Sequence, residues 1–397
     1  MRELTVLQAP EIPKGTRRKF TKFILTHGHA RDIPVGEVAK IEKPISRMQL
    51  AVVTTSWWAQ HEIWQPNPQI PGPILTAPDA LTYRLWLDQL APIYGRRKMR
   101  HSVSIKLMPT TTHETLEAAW AAGFRTVKIY PAGVTHSKEG WDSFEKDMYK
   151  PICWALEIGF IVCIHGEEPG DQIDTYAREE FFMINRFKKL ATTDFPGGRF
   201  NVEHISKAET IFMVGEMPGN ITGGLTIQHA KISRNDLLEW KSADGKTGLN
   251  PGNHFRPPAQ TLKDMAEIRY VMFHADESAY RKFHFGPDSA PHRDCDKFCV
   301  CGCPGAHVAP TLGPLVVDLY DQYRRLDHPS FYAFTVENGA RAFGIEVDME
   351  QTFELEKTDW IIPESYGGIY AFFAGRTNSW KPLELAALNP ELLLAAA

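Results

Sequence analysis

The chain has 397 residues, with 44 Lys+Arg against 48 Asp+Glu and a net charge of −4, a balance that argues against gripping nucleic acid by phosphate neutralisation. A hydrophobic share of 43% with 23% charged residues is that of a folded globular protein, and no run of about 18 uncharged apolar residues is present to span a membrane. The first 20 residues have no apolar signal core, and six cysteines, four of them within 295–303, make no disulfide framework, so a cytoplasmic protein is expected.

Short apolar runs alternate with longer helical patterns. Strands are expected at 22–26 (KFILT), 50–54 (LAVVT), 103–107 (VSIKL), 126–130 (TVKIY), 160–164 (FIVCI), 200–203 (FNVE), 221–227 (ITGGLTI) and 283–285 (FHF). Helices are expected between them at 77–91, 113–122, 141–157, 207–216 and 261–275, with a further one at 309–327. Eight apolar strands alternating with helices predict an α/β fold in which a parallel sheet closes into a (β/α)8 TIM-type barrel. An open doubly wound sheet is the competing architecture, but no GxGxxG follows the first strand. No repeat or linker interrupts the pattern, which predicts one domain over 1–380. The Ala/Leu-rich tail, 381–397, reads as lying outside it, its last residues resembling added sequence. Residues 54–73 (TTSWWAQHEIWQPNPQIPGP) read as an unusually long, Trp- and Pro-rich connection, either a functional loop or a packing lid.

Residues able to carry chemistry recur where strands end. His27 and His29 flank Gly28 after the first strand, and period-two alternation sends both imidazoles to the same side. His165 ends FIVCIH, His204 ends FNVEH and Asp288 follows FHFG. An isolated histidine at such a place is ordinarily a satisfied structural residue. Several strand-end histidines and a carboxylate at one barrel mouth instead suit Zn²⁺ or a similar divalent ion. Lys128 lies within its strand and reads equally as a partly buried lysine. The cysteines at 295, 299, 301 and 303 lack the paired spacing of a structural zinc site, and no GxSxG elbow supports a serine hydrolase.

In order along the chain, HGHARD (27–32), VKIYPAG (127–133), IHGE (164–167), EHI (203–205), LTIQHAKISRND (225–236), NPGNHFRPP (250–258), GPDSAPH (286–292), CGCPGAHVAP (301–310) and FFAGRTNSW (372–380) resemble the motifs of the amidohydrolase superfamily, specifically the shorter single-domain dihydroorotases. The resemblance implies two Zn²⁺ ions bridged by an N6-carboxylated Lys128. His27, His29, Lys128 and Asp288 would hold the more buried ion, and Lys128, His165 and His204 the other. Asp288 would be the catalytic acid/base, moving a proton from water to the leaving ring nitrogen. Arg31, His292 and Asn67 would hold an anionic group of a small cyclic amide, with Thr135, His136, Arg256 and Pro304 around the rest of the substrate.

The implied reaction is reversible ring opening of dihydroorotate to N-carbamoyl-aspartate in pyrimidine biosynthesis. Departures fall in the substrate loops: His136 stands for a second threonine, Phe255-Arg256 for a Cys-Lys pair, Pro304 for an alanine, and Ile33-Pro34 for a glycine. They keep open a paralogue acting on a larger or more aromatic cyclic amide or imide, while a non-catalytic scaffold of pyrimidine enzymes is the reading from another class. No nucleic-acid or membrane partner is expected, and a homodimer is one expected assembly.

Overall fold

The structure, a computed structural model, describes residues 4–29, 56–61, 73–94, 100–134, 141, 143–241, 247–300, 302–366 and 369–383. The opening strand β1 (Arg17–Thr21) is followed by β2 (Phe23–Leu25) and β3 (Ser56–His61). Strands β4 (Arg100–Val103), β5 (Ile105–Lys106), β6 (Thr126–Ile129), β7 (Ile161–Ile164), β8 (Phe200–Val202) and β9 (Ile221–Leu225) come next. A small hairpin of β10 (Trp240–Lys241) and β11 (Thr247–Gly248) precedes β12 (Phe283–Phe285). Parallel pairing runs β2-β3-β4 in one ladder and β5-β6-β7-β8-β9-β12 in the other. The ladders meet at Ser104, where β4 passes into β5, and across the seam where Thr26 N donates to Phe285 O at 3.1 Å. With β4 and β5 as one interrupted strand, this is the expected eight-stranded parallel barrel.

Strands covered on both faces must be apolar throughout, and every residue of β6, β7, β8 and β12 is buried. Helices form the outer layer, and local chemistry fixes their ends. Thr112 caps the helix His113–Ala121 by accepting from Thr115 N, and Thr261 with Asp264 forms a capping box at Leu262–Phe273. Gly159 ends the helix Phe144–Ile158 at φ 112°, where a Cβ would sit 3.1 Å from the Trp120 ring. Beside the barrel, β1 pairs antiparallel with β13 (Thr352–Ile361), and β13 with the last strand, Thr377–Pro382. Trp380 is fully buried in the same apolar cluster as Phe20, Phe331 and Phe353. No described helix is long and apolar enough to cross a membrane.

Two expectations are corrected. The stretch 54–73 is not all connection: 56–61 (SWWAQH) forms β3, pairing with β2 and β4. Tryptophan suits a pleated strand, so the aromatic run that read as a loop lies on the barrel wall. The strand expected at 50–54 lies outside the described residues. The expected strand at 103–107 begins earlier, at Arg100, and is interrupted at Ser104.

Beneath the mouth, the barrel interior is polar. Ser104 Oγ and Thr126 Oγ1 are 2.8 Å apart. Thr222 Oγ1 and His284 Nε2 each lie 3.0 Å from Asn201 Oδ1, and His284 Nδ1 lies 2.9 Å from Thr26 Oγ1. This layer ties β8, β9 and β12 to the end of β2, immediately below His27.

Candidate metal centre

Residues one step beyond the strand ends converge. His27 Nε2 and His29 Nε2 are 3.3 Å apart, and both face Asp288 Oδ1, at 3.4 and 3.2 Å. Loop pairing fixes this triangle: Asp288 N donates to His27 O at 3.1 Å, His29 N to Ser289 O at 3.0 Å, and Gly28 bridges Ser289. Asp288 takes a positive φ of 46°, a conformation that a carboxylate residue adopts only where its surroundings hold it. A tetrahedral zinc with bonds of about 2.1 Å separates its ligand atoms by roughly 3.4 Å. The triangle has those dimensions before any ion is added.

A second group adjoins it. His165 Nδ1 lies 3.0 Å from His204 Nε2. Lys128, 1% exposed, reaches between these histidines and His27, its Nζ in contact with Glu203 and 4.7 Å from the Tyr130 ring centre. Glu203 Oε2 is also 3.2 Å from His27 Nδ1. Consecutive residues of a strand face opposite sides, yet Glu203 and His204 both enter the site. The positive φ of His204, 40°, turns the chain and permits this.

Burial and the neighbouring Lys128 charge hold His27 and His204 well below the ordinary histidine range, keeping them neutral donors. His204 Nδ1 is buried without a hydrogen-bond partner among the described residues. Two donor sets, His27 with His29 and Asp288, and His27 with Glu203 and His204, have the spacing to hold a metal ion. Neutral imidazoles and carboxylates packed at these distances, away from water, fit a divalent ion.

Outside the cluster, His165 Nε2 lies 2.7 Å from Glu167 Oε2, and Arg256 Nη2 lies 3.2 Å from Glu167 Oε1. Burial alone would raise the Glu167 carboxyl, but the Arg256 charge and the hydrogen bond from His165 overturn that and hold it below its usual range. The Glu167 contact requires Nε2 of His165 to carry the proton, which leaves Nδ1 as the donor facing His204.

All six residues expected as ligands, His27, His29, Lys128, His165, His204 and Asp288, are thus brought together. Of the expected substrate contacts, His292 and Pro304 meet, with His292 Nε2 3.0 Å from Pro304 O. Gly305 follows at φ 156°, where a Cβ would lie 2.4 Å from Ala290 O and 2.9 Å from the His292 ring. Arg256 points its guanidinium at Glu167. Arg31, Asn67, Thr135 and His136 lie outside the described residues.

Sequence reasoning assigned nothing to Glu203 or Glu167, although both sit in quoted motifs. For Glu167 the available signal was its i+2 spacing from His165, and for Glu203 its period-two relation to the inward-facing Asn201.

A closed parallel barrel carrying histidines, a lysine and an aspartate at its strand C-terminal ends defines a metal-dependent amidohydrolase. No family model matches the chain, but individual relatives do. The dihydroorotase of Marinobacter nauticus is 30% identical over 319 residues, 79% of this chain and 88% of that one. The dihydroorotase of Neisseria gonorrhoeae is 30% identical over 361 residues, 89% of this chain and 95% of that one. Among solved structures, Saccharomyces cerevisiae dihydroorotase in complex with 5-fluoroorotic acid superposes with a TM-score of 0.74 at 24% identity, covering 92% of this chain and 98% of that one. The L-hydantoinase of Arthrobacter aurescens gives 0.70 at 16% identity, covering 92% and 83%. The chain belongs to the dihydroorotase family, and with it to the metal-dependent hydrolases of cyclic amides.

Proposed function

We propose that the chain catalyses the reversible hydrolytic ring opening of dihydroorotate to N-carbamoyl-aspartate. The observation that carries this reading is the triangle of His27, His29 and Asp288 set against Lys128, His165 and His204. In this reading His27, His29, Lys128 and Asp288 hold one zinc, and Lys128, His165 and His204 a second. Lys128 would serve as the carbamate that its neutral amine forms with CO₂ on losing a proton, which would replace a buried cation among neutral imidazoles with an anionic oxygen donor for the ions. When bound, the ions supply Lewis acidity, lowering the pKa of water and polarising the ring carbonyl.

The chain's own residues do the rest. Asp288 accepts the proton of the attacking water and returns it to the leaving ring nitrogen. Glu203, 3.2 Å from His27 Nδ1, orients that imidazole so that its Nε2 faces Asp288. Glu167 and Arg256 fix the tautomer of His165, so Arg256 acts behind the metal shell rather than on the substrate. Arg31 and His292, with Asn67, grip the substrate carboxylate, and Thr135, His136 and Pro304 border the ring. The protein works on a small anionic substrate in the cytoplasm, as a homodimer.

The retained ligand set counts against a silent scaffold. The altered substrate residues, His136 and Pro304 among them, favour a larger cyclic imide as the second reading. Steady-state assay of dihydroorotate beside hydantoin, dihydrouracil and bulkier cyclic imides decides between them, with Arg31→Met as the probe. Dihydroorotate should be preferred, and Arg31→Met should weaken kcat/KM by about 30- to 150-fold, the cost of roughly 2–3 kcal/mol for a charged hydrogen bond, with metal content unchanged. Preference for an uncharged ring, with Arg31→Met harmless, would refute dihydroorotate while leaving the metallohydrolase.

A further inference from the structure

A second cleft, of about 360 Å³, opens at the other end of the barrel, where the strands begin. Phe200 at the start of β8, Thr222 in β9 and Lys282 just before β12 lie on it, with the helix Asn338–Phe343 alongside. The metal-binding residues follow the opposite ends of these same strands, so the two sites are separated by the polar barrel interior.

Four cations, Arg199, Arg281, Lys282 and Arg341, line the cleft, and no carboxylate does. Among the described residues, Arg341 has an acidic partner, Glu337 at 3.1 Å. The other three are anchored by backbone carbonyls. Arg199 Nη2 donates to Ala342 O at 2.9 Å, Arg281 Nε to Asp276 O at 3.0 Å, and Lys282 Nζ to Val214 O at 2.9 Å.

Part of this arrangement is structural. Arg199 closes the C-terminal end of the helix Asn338–Phe343, and Lys282 that of the helix Ala208–Glu216. Those helix ends offset only about half a charge each. Four positive charges against one carboxylate and two helix ends leave roughly +2 in the cleft. The exposed Glu216, acting on Lys282 from outside the lining, reduces this toward about +1. A phosphate monoester carries about −1.5 to −2 at neutral pH and is matched by planar guanidinium forks. The carbonyl anchors hold the Arg199 and Arg281 forks in place and leave guanidinium N–H groups for a ligand, which lowers the ordering cost of binding. Lys282, its three N–H groups taken by carbonyls of Val214, Met217 and Pro218, contributes charge alone. The volume lies at the small end of ligand pockets, roughly 300–1,000 Å³.

We propose that this cleft binds the phosphate group of a small metabolite, apart from the hydrolytic site. The test is isothermal titration of the metal-loaded full chain with inorganic phosphate and with glycerol 3-phosphate, against sodium chloride at matched ionic strength. Both phosphates should bind saturably where chloride does not, and glycerol 3-phosphate binding at least as tightly as inorganic phosphate would favour an ester over the free ion. Ser278→Glu places a carboxylate in the cleft from an exposed residue that makes no described bond. Both it and the double variant Arg199→Gln/Arg281→Gln should weaken binding at least tenfold, about 1.4 kcal/mol, with amide hydrolysis unchanged. A heat signal that chloride reproduces would overturn the proposal. So would phosphate binding that survives both variants, or binding that a saturating substrate-like carboxylate abolishes, since that would move it to the metal centre.

Discussion

Replacing Arg256 by methionine separates two roles for this residue, gripping the substrate or holding Glu167. Glu167 is fully buried, and its ion pair with Arg256, at 3.2 Å, is closed off on the guanidinium side, which is 12% exposed. At an effective dielectric of about 20 the gross attraction is roughly 5 kcal/mol. Removing one partner of a buried pair costs about 3–5 kcal/mol net, because the other charge stays buried and uncompensated. A chain of this length unfolds with an entropy near 0.8 kcal/mol/K, at about 2.1 cal/mol/K per residue, so Tm should fall by about 4–6 °C. Glu167 would also lose its fixed orientation toward His165, and disturbing such an outer partner typically lowers metal affinity about 10- to 100-fold. Calorimetry with zinc competition against a chelator reads both effects, and Arg256→Lys, which keeps the charge, should recover part of each. At saturating zinc KM should move less than about threefold, a small fraction of the loss expected when a charged substrate contact is removed. Unchanged Tm and zinc affinity with a KM raised more than tenfold would refute this reasoning and return Arg256 to the substrate.

Lys128→Ala should lose bound zinc and turnover together, and short carboxylic acids should restore part of both by supplying bridging oxygens; a metal-replete, active Lys128→Ala would make Lys128 an ordinary strand lysine. Burial holds His101 and His229 at about 4, and His284 and His307 at about 3. Because these values are depressed, the stability they contribute is present above the ordinary value near 6.5 and is lost as pH falls toward 4. Each costs about 1.4 kcal/mol by pH 5.5, so Tm should fall by roughly 7 °C between pH 8 and 5.5, and a flat profile would refute their burial as neutral rings.

The clustering of His27, His29, Lys128, His165, His204 and Asp288 was legible in the sequence because each sits at a fixed offset from a strand, and strands announce themselves by local apolar runs. His27 and His29 could be placed on one side from period two alone, and His165 and Asp288 followed from where FIVCI and FHF end. What stayed hidden depends on contacts between distant segments. Glu167 matters through Arg256, far along the chain. Glu203 faces inward with Asn201, yet His204 enters the same site only because it adopts a positive φ, which no local pattern of NVEH signals. The strand at 56–61 was missed because nearby Pro residues and tryptophans outweighed a short run lacking β-branched residues.

This division has a physical origin in the barrel. Its ladder hydrogen bonds and the Thr26–His284–Asn201 layer fix the strand ends to within the tolerance a metal demands, so the residues there cannot move independently. In the sequence, Arg31 comes shortly after His29 and Thr135-His136 directly after Val134, outside the described residues. This sequence combines the full cluster His27, His29, Lys128, His165, His204 and Asp288 with changes at His136 and Pro304, so the proposed hydrolytic shell and the substrate residues vary independently. The two shells should respond separately to perturbation. Lys128→Ala removes metal whatever the substrate, whereas Arg31→Met alters recognition with the metal in place. If Arg31→Met also stripped the zinc, the loop after His29 would be part of the metal scaffold, and the altered residues could no longer be read as changes in specificity alone.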